Sequence, residues 1–302
     1  MSLRLAKGWL RLPTWWLGHT WSGRITALLI DSVKACIDHR ATSKGAALAF
    51  YTLFSLTPIL VFAIAVAGAL FGTSTAQGEI LAQLQALVGP NGAQAIRALL
   101  VAARNPASGR IATAIAGVVL LVGATSVFAE LKGSLDELWG VDRARQSGVW
   151  TLLRTRLLSF GLVLVLALLL LVSLVVSAAL AVFERYTGGI LADAALIRAL
   201  FSVFSLAVIA CLFAVIYKLL PEAPMSWRDV WIGAVVTAGL FGLGKYAIGL
   251  YLGNGGIASS FGAAGSLIAL LLWVYYSAQI FFLGAEFTRQ YALRFGSLRG
   301  AR

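Results

Sequence analysis

The side chains able to make or break a bond are few and scattered. Two histidines, His19 and His39, and 12 Asp and Glu are spread over 302 residues. Phosphodiester hydrolysis needs positioned acid–base groups, or metal ions held by clustered carboxylates and histidines. The sequence spaces no such cluster. Cys36 lies on an amphipathic segment and Cys211 inside an apolar run, which suggests neither a disulfide framework nor a metal motif. No GxxxxGK[ST] loop is present to cradle a nucleotide. The expectation is a protein that is not an enzyme and holds no cofactor or metal.

The informative polar groups are those that interrupt apolar runs. Lys245 is one. A lysine on a lipid-facing surface is costly, so it must snorkel, pair or face a wet cavity. Glu184 is the nearest candidate partner by topology. The link 253–262, with Asn254, Ser259 and Ser260, feeds a helix start, and free helix N-terminal amides attract anions. Lys245 and this link together suggest a site for a phosphate or carboxylate headgroup. A structural ion pair and a flexible hairpin turn are the competing readings. Ser55, Thr57 and Pro58 mark a second place, where proline removes an amide donor and suggests a kink or a gate. The third is an inner charge belt: Lys44, Glu130, Lys132, Arg154, Arg156, Glu286 and Arg289. Its leading reading is a set of salt bridges that locks one face, and its second a gate or proton-coupling site.

These groups must be positioned by membrane spans. Apolar residues make up 60% of the chain and charged residues 12%, the latter about half the soluble norm. Six apolar runs, 46–70, 111–131, 153–183, 199–219, 230–252 and 262–287, reach about the 20 residues needed to cross hydrocarbon. Without water, backbone amides must be satisfied within the segment, so such runs become helices. The fold class expected is all-α: a polytopic six-helix transmembrane bundle over 46–288, an N-terminal segment 1–45, and a basic tail 289–302.

The net charge of +12 is a topology signal rather than a nucleic-acid footprint. Eighteen Lys and Arg fall before the first span, in the second and fourth loops and in the tail, and five fall on the opposite side. The positive-inside rule then places both termini in the cytoplasm, in a bacterial inner membrane, with lipids as the partners. The first 22 residues carry basic side chains and four tryptophans but no continuous apolar core, so no cleavable signal is expected. Residues 24–38 place Ile25, Leu28, Leu29, Val33, Cys36 and Ile37 at helical spacing, which predicts an interfacial amphipathic helix. Segment 71–110 predicts a small outer cap of two short helices, broken at Gly89-Pro90-Asn91-Gly92. Small residues Ala234, Ala238 and Gly242, and the Gly249/Gly253 pair, permit close helix approach within the bundle or a homo-oligomer.

Three stretches resemble the YihY/BrkB family. They are His39-Arg40-Ala41 with Gly45 through Pro58, Leu135-Asp136-Glu137-Leu138-Trp139-Gly140-Val141, and Gly265 through Trp273-Val274-Tyr275 to Phe282-Leu283-Gly284-Ala285-Glu286. Asp136 stands where the family pattern has asparagine. The resemblance implies a six-helix bacterial inner-membrane protein. Some members carry the label ribonuclease BN, and others are linked to virulence or serum resistance. The nuclease label conflicts with the missing acid–base and metal groups. Two function classes remain. One is transport or flipping of an amphipathic, anionic molecule such as a lipid; the other is a non-transporting scaffold or envelope-assembly factor.

Overall fold

The computed structural model describes residues 21–103, 127, 129–141, 194–254 and 265–299, and their regular structure is entirely helical. In chain order the helices are α1 (Trp21–Asp38), α2 (Ala41–Phe71), α3 (Thr73–Ala103), α4 (129–138), α5 (Ala194–Leu219), α6 (Trp227–Asn254) and α7 (Gly265–Arg294). Three of them, α5, α6 and α7, contain stretches long and apolar enough to cross a membrane: Ser202–Leu219, Trp227–Tyr251 and Leu267–Arg294. The expected span 153–183 and most of 111–131 lie outside the described residues.

Helix α7 is the hub. Helices α1, α2, α3 and α6 all pack on it, and α5, packed mainly on α6, reaches it directly where the Tyr217 hydroxyl donates to the Phe281 carbonyl. The composition of α7 explains this position. Gly284, Ala285, Glu286, Phe287 and Thr288 are buried in succession, so the helix is enclosed on every side at that level. Around it Leu135, Leu138, Tyr217, Val230, Ala234, Phe281 and Phe282 form one core cluster. A second cluster joins Leu60 and Ile64 of α2 to Ile96 and Leu100 of α3 and Leu270 of α7.

The amphipathic segment 24–38 is helical, within α1, and two tethers run it antiparallel along the end of α7. Asp31 pairs with Arg294, and His39 with Glu286. Ile25, Leu29, Ile30, Val33 and Ile37 remain exposed on its other side. The corner into α2 turns on Arg40, held in the left-handed region at φ 52°. L-residues other than Asn and Asp rarely adopt that conformation.

The expected two-helix cap is corrected. Residues 73–103 form one helix that continues through Pro90, reverses direction at Gly72 and packs along α2 and α7. Gly72 has φ 87°, a conformation that favours glycine, and its amide closes onto the Gly68 carbonyl at 2.9 Å. An interior proline costs about 3 kcal/mol. Burying Ile96 and Leu100, each at most 2% exposed, returns about 2 kcal/mol apiece. Tertiary packing therefore overrides a local break. Helix α2 likewise continues through Thr57 and Pro58. The Ser55 hydroxyl donates to the Thr52 carbonyl at 3.2 Å, two residues before the Phe54 carbonyl that Pro58 leaves free.

Candidate functional site

The polar residues converge where α1, α4, α7 and the α5–α6 loop meet. In α4 the i,i+4 spacing of Lys132 and Asp136 brings their side chains to 2.7 Å, and both are nearly buried. Lys132 also lies 3.2 Å from Glu222. The second Asp136 oxygen, Oδ1, accepts the Glu222 backbone N–H at 3.0 Å. Asp136 thus uses both oxygens and ties α4 to the α5–α6 loop. Trp139 fixes the other end of α4, its indole N–H donating to the Ala285 carbonyl at 3.1 Å.

Glu286 forms the second node. Its side chain is fully buried, and Oε1 lies 2.5 Å from His39 Nδ1. Oε2 is sealed from solvent and has no hydrogen-bond partner among the described residues. Arg289, one turn further along, and Cys36 of α1 are the neighbouring ionisable groups. The Arg289 guanidinium lies against the Gly140 turn. Burial pushes the Cys36 thiol up to about 12, with the Glu286 charge adding to the effect.

Two further ties complete this end. Lys44 pairs with Glu137 at 2.9 Å. Asp229 Oδ2 accepts from Ser297 N–H at 2.8 Å and from its hydroxyl at 2.7 Å, which pins the chain after α7 to the start of α6. Among the described residues no three His, Cys, Asp or Glu side chains converge on a metal-sized point.

The crossing of α6 and α7 is unusually close. A Cβ on Gly233 would overlap the Thr288 side chain, and one on Gly284 would overlap Thr237. Each threonine hydroxyl instead donates to the glycine carbonyl one turn earlier in its own helix, at 2.7 Å. The hydroxyls are thereby satisfied in an apolar interface. Ala234 and Ala238 are spent on packing within the chain, both fully buried, while Gly242 and Gly249 face open space.

Further along the same helix pair lies a groove of about 300 Å³. Its walls are mainly apolar, with Gly244, Ala247, Ile248 and Ile280 joined by Tyr251, Tyr276 and Gln279. Gln279 donates weakly to the Ala41 and Thr42 carbonyls at the start of α2. Lys245 is exposed on α6 beside Leu243 and Tyr246, each 71% exposed.

The structure gathers only some of the residues singled out from sequence. Lys44, Lys132 and Glu286 each find a partner at this end, but not within the expected set. Lys132 takes Asp136 and Glu222 rather than Glu130, whose Oε1 accepts from Ser134 at 3.5 Å. Glu286 takes His39, while Arg289 lies nearby without an ion pair among the described residues. Asn254 ends α6. Arg154, Arg156, Glu184, Ser259 and Ser260 lie outside the described residues. Sequence reading missed His39, Asp136, Glu137 and Glu222 as partners. The 132/136 spacing signalled one of these pairs, whereas His39 and Glu286 are 247 positions apart with no local cue.

Comparison with known proteins places these features in a family. The family model described as Virulence factor BrkB matches residues 33–301. A membrane protein designated UPF0761 from Verminephrobacter eiseniae is 32% identical over 257 residues, covering 83% of this chain and 58% of its own length. A second, from Ralstonia nicotianae, is 29% identical over 269 residues, covering 87% of this chain and 58% of its own length. The chain thus spans under two thirds of these relatives. No solved structure matches. With its apolar helices, its polar network at one end of the bundle and a match over nearly the whole chain, the protein belongs to the BrkB virulence-factor family of membrane proteins.

Proposed function

We propose that this protein is a six-span inner-membrane protein that binds an amphipathic, anionic lipid and moves it between leaflets. The observation that carries the reading is the α6–α7 groove. Its apolar wall suits an acyl chain, its tyrosines and Gln279 offer hydrogen bonds, and Lys245 follows Gly244 on the same helix. A headgroup phosphate near Lys245 would be matched by that charge. The basic asymmetry of eighteen residues against five supports cytoplasmic termini. At 1.5 Å per residue, the 31-residue α2 is long enough to add a span to the three apolar helices.

A second reading, a non-transporting scaffold or envelope-assembly factor, is favoured by a different observation. Most buried charges at the inner end are satisfied by one another, as in a fixed brace. The family description as a virulence factor is compatible with either role.

Native mass spectrometry on purified protein, with phosphatidylglycerol and phosphatidylcholine as probes, separates the two. Ala247→Trp, which fills the groove, should weaken both lipids. Lys245→Met should weaken phosphatidylglycerol alone. Unchanged binding in both variants would leave the scaffold reading.

A further inference from the structure

Among the described residues, Glu286 is the buried carboxylate with an oxygen, Oε2, that neither meets solvent nor accepts a hydrogen bond. An ionised carboxylate bears a desolvation cost there, because one of its oxygens faces an uncompensated apolar wall. A proton on Oε1 removes that charge and is donated to Nδ1 of a neutral His39 ring that carries its hydrogen on Nε2. The same proton placed on His39 Nδ1 creates an imidazolium–carboxylate pair across the same 2.5 Å contact. One proton therefore has two homes across one hydrogen bond. The inner home is sealed, and the outer belongs to a side chain that is 30% exposed.

We propose that His39 and Glu286 form a proton-binding site, through which one proton exchanges between solvent at the α1–α2 corner and the bundle interior. No covalent bond is made or broken beyond the transfer itself: a proton from water binds Nε2, the Nδ1 proton passes to Oε1, and the ring ends neutral with its hydrogen on Nε2. The other groups facing Glu286 do not compete for it. Cys36 from α1 holds its own proton, and the Arg289 guanidinium from α7 has donors but no acceptor to offer. Tyr217 of α5 is engaged by its hydroxyl, which donates to the Phe281 carbonyl at 2.7 Å. Helix α4 presents the Trp139 indole to Ala285, next to Glu286.

The location gives the proton a mechanical target. His39 directly precedes Arg40, the left-handed corner residue, and α1 is otherwise tied to α7 by Asp31 and Arg294. Changing the charge of the His39–Glu286 contact changes one of the two tethers that hold α1 along α7. The inference does not rest on lipid movement; a proton site at this corner would serve either reading of function.

The test is pH-difference infrared spectroscopy on the full chain in lipid nanodiscs. The wild-type protein should show a carboxylic-acid carbonyl band whose intensity changes with pH. Glu286→Gln, which keeps the shape and the Oε1 acceptor, should abolish that band. His39→Gln should leave a band that no longer responds over the same pH range. A wild-type spectrum without a titrating band overturns the proposal without recourse to a variant. So does a band that persists in Glu286→Gln, or one whose titration is unaltered in His39→Gln.

Discussion

Replacing Asp136 with alanine tests whether the polar network around α4 braces the fold. The substitution removes the acceptor 2.7 Å from Lys132 and the acceptor 3.0 Å from the Glu222 N–H. Lys132 is 8% exposed and would keep only Glu222, itself 40% exposed, at 3.2 Å. Breaking one side of a buried pair costs about 3–5 kcal/mol, because a charge is left uncompensated. The remaining glutamate moves the expectation to the lower part of that range. Asp136→Asn keeps an acceptor for the backbone amide and loses the ion pair, so its cost should be smaller, about 1–3 kcal/mol. Restoring apolar complementarity with Lys132→Met in the Asp136→Leu background should recover most of the loss. Unfolding in mixed micelles, followed by tryptophan fluorescence, of the wild type, Asp136→Leu, Lys132→Met and the double variant supplies the four corners of the cycle. A cost below about 1 kcal/mol for Asp136→Ala, with no coupling to Lys132, would refute the brace.

Three other outcomes follow from the geometry. Gly284→Val should force α6 away from α7 at Thr237, and the overpacking should cost about 1–3 kcal/mol in the same unfolding assay; a neutral result would mean that the helices do not meet there. With its thiol raised to about 12, Cys36 should alkylate about a thousandfold more slowly at pH 8 than an ordinary thiol near 8.5. Its rate should rise with pH as thiolate forms, and comparison with denatured protein measures the difference; equal rates would contradict its burial. In a background without Cys36 and Cys211, cysteine at Ser74 should react with an impermeant reagent applied outside and cysteine at Ser147 should not; the reverse would invert the orientation.

Apolar runs made the helical class and the positions of α2, α5, α6 and α7 legible, because long uncharged stretches leave the backbone one satisfactory conformation. The amphipathic stripe at 24–38 foretold α1 for a similar reason. Helix α3 was misread at Gly89–Gly92, where local turn chemistry suggested a break and packing on α2 and α7 prevailed. The site was less legible. Local spacing exposes a pair such as Lys132 and Asp136, but His39 meets Glu286 only because α1 runs antiparallel to α7. The Gly233–Thr288 and Thr237–Gly284 contacts likewise depend on which faces of two helices cross, which composition alone does not specify.

The central claim is that the α6–α7 groove carries lipid across the bilayer, and transbilayer exchange in proteoliposomes tests it most directly. Fluorescent phosphatidylglycerol in both leaflets is quenched by dithionite added outside, and protected inner-leaflet lipid becomes accessible only if it moves. The wild-type chain should raise the quenched fraction above that of protein-free vesicles, and Ala247→Trp should return it to that baseline while remaining folded. Wild-type vesicles that quench no further than empty ones would contradict the account.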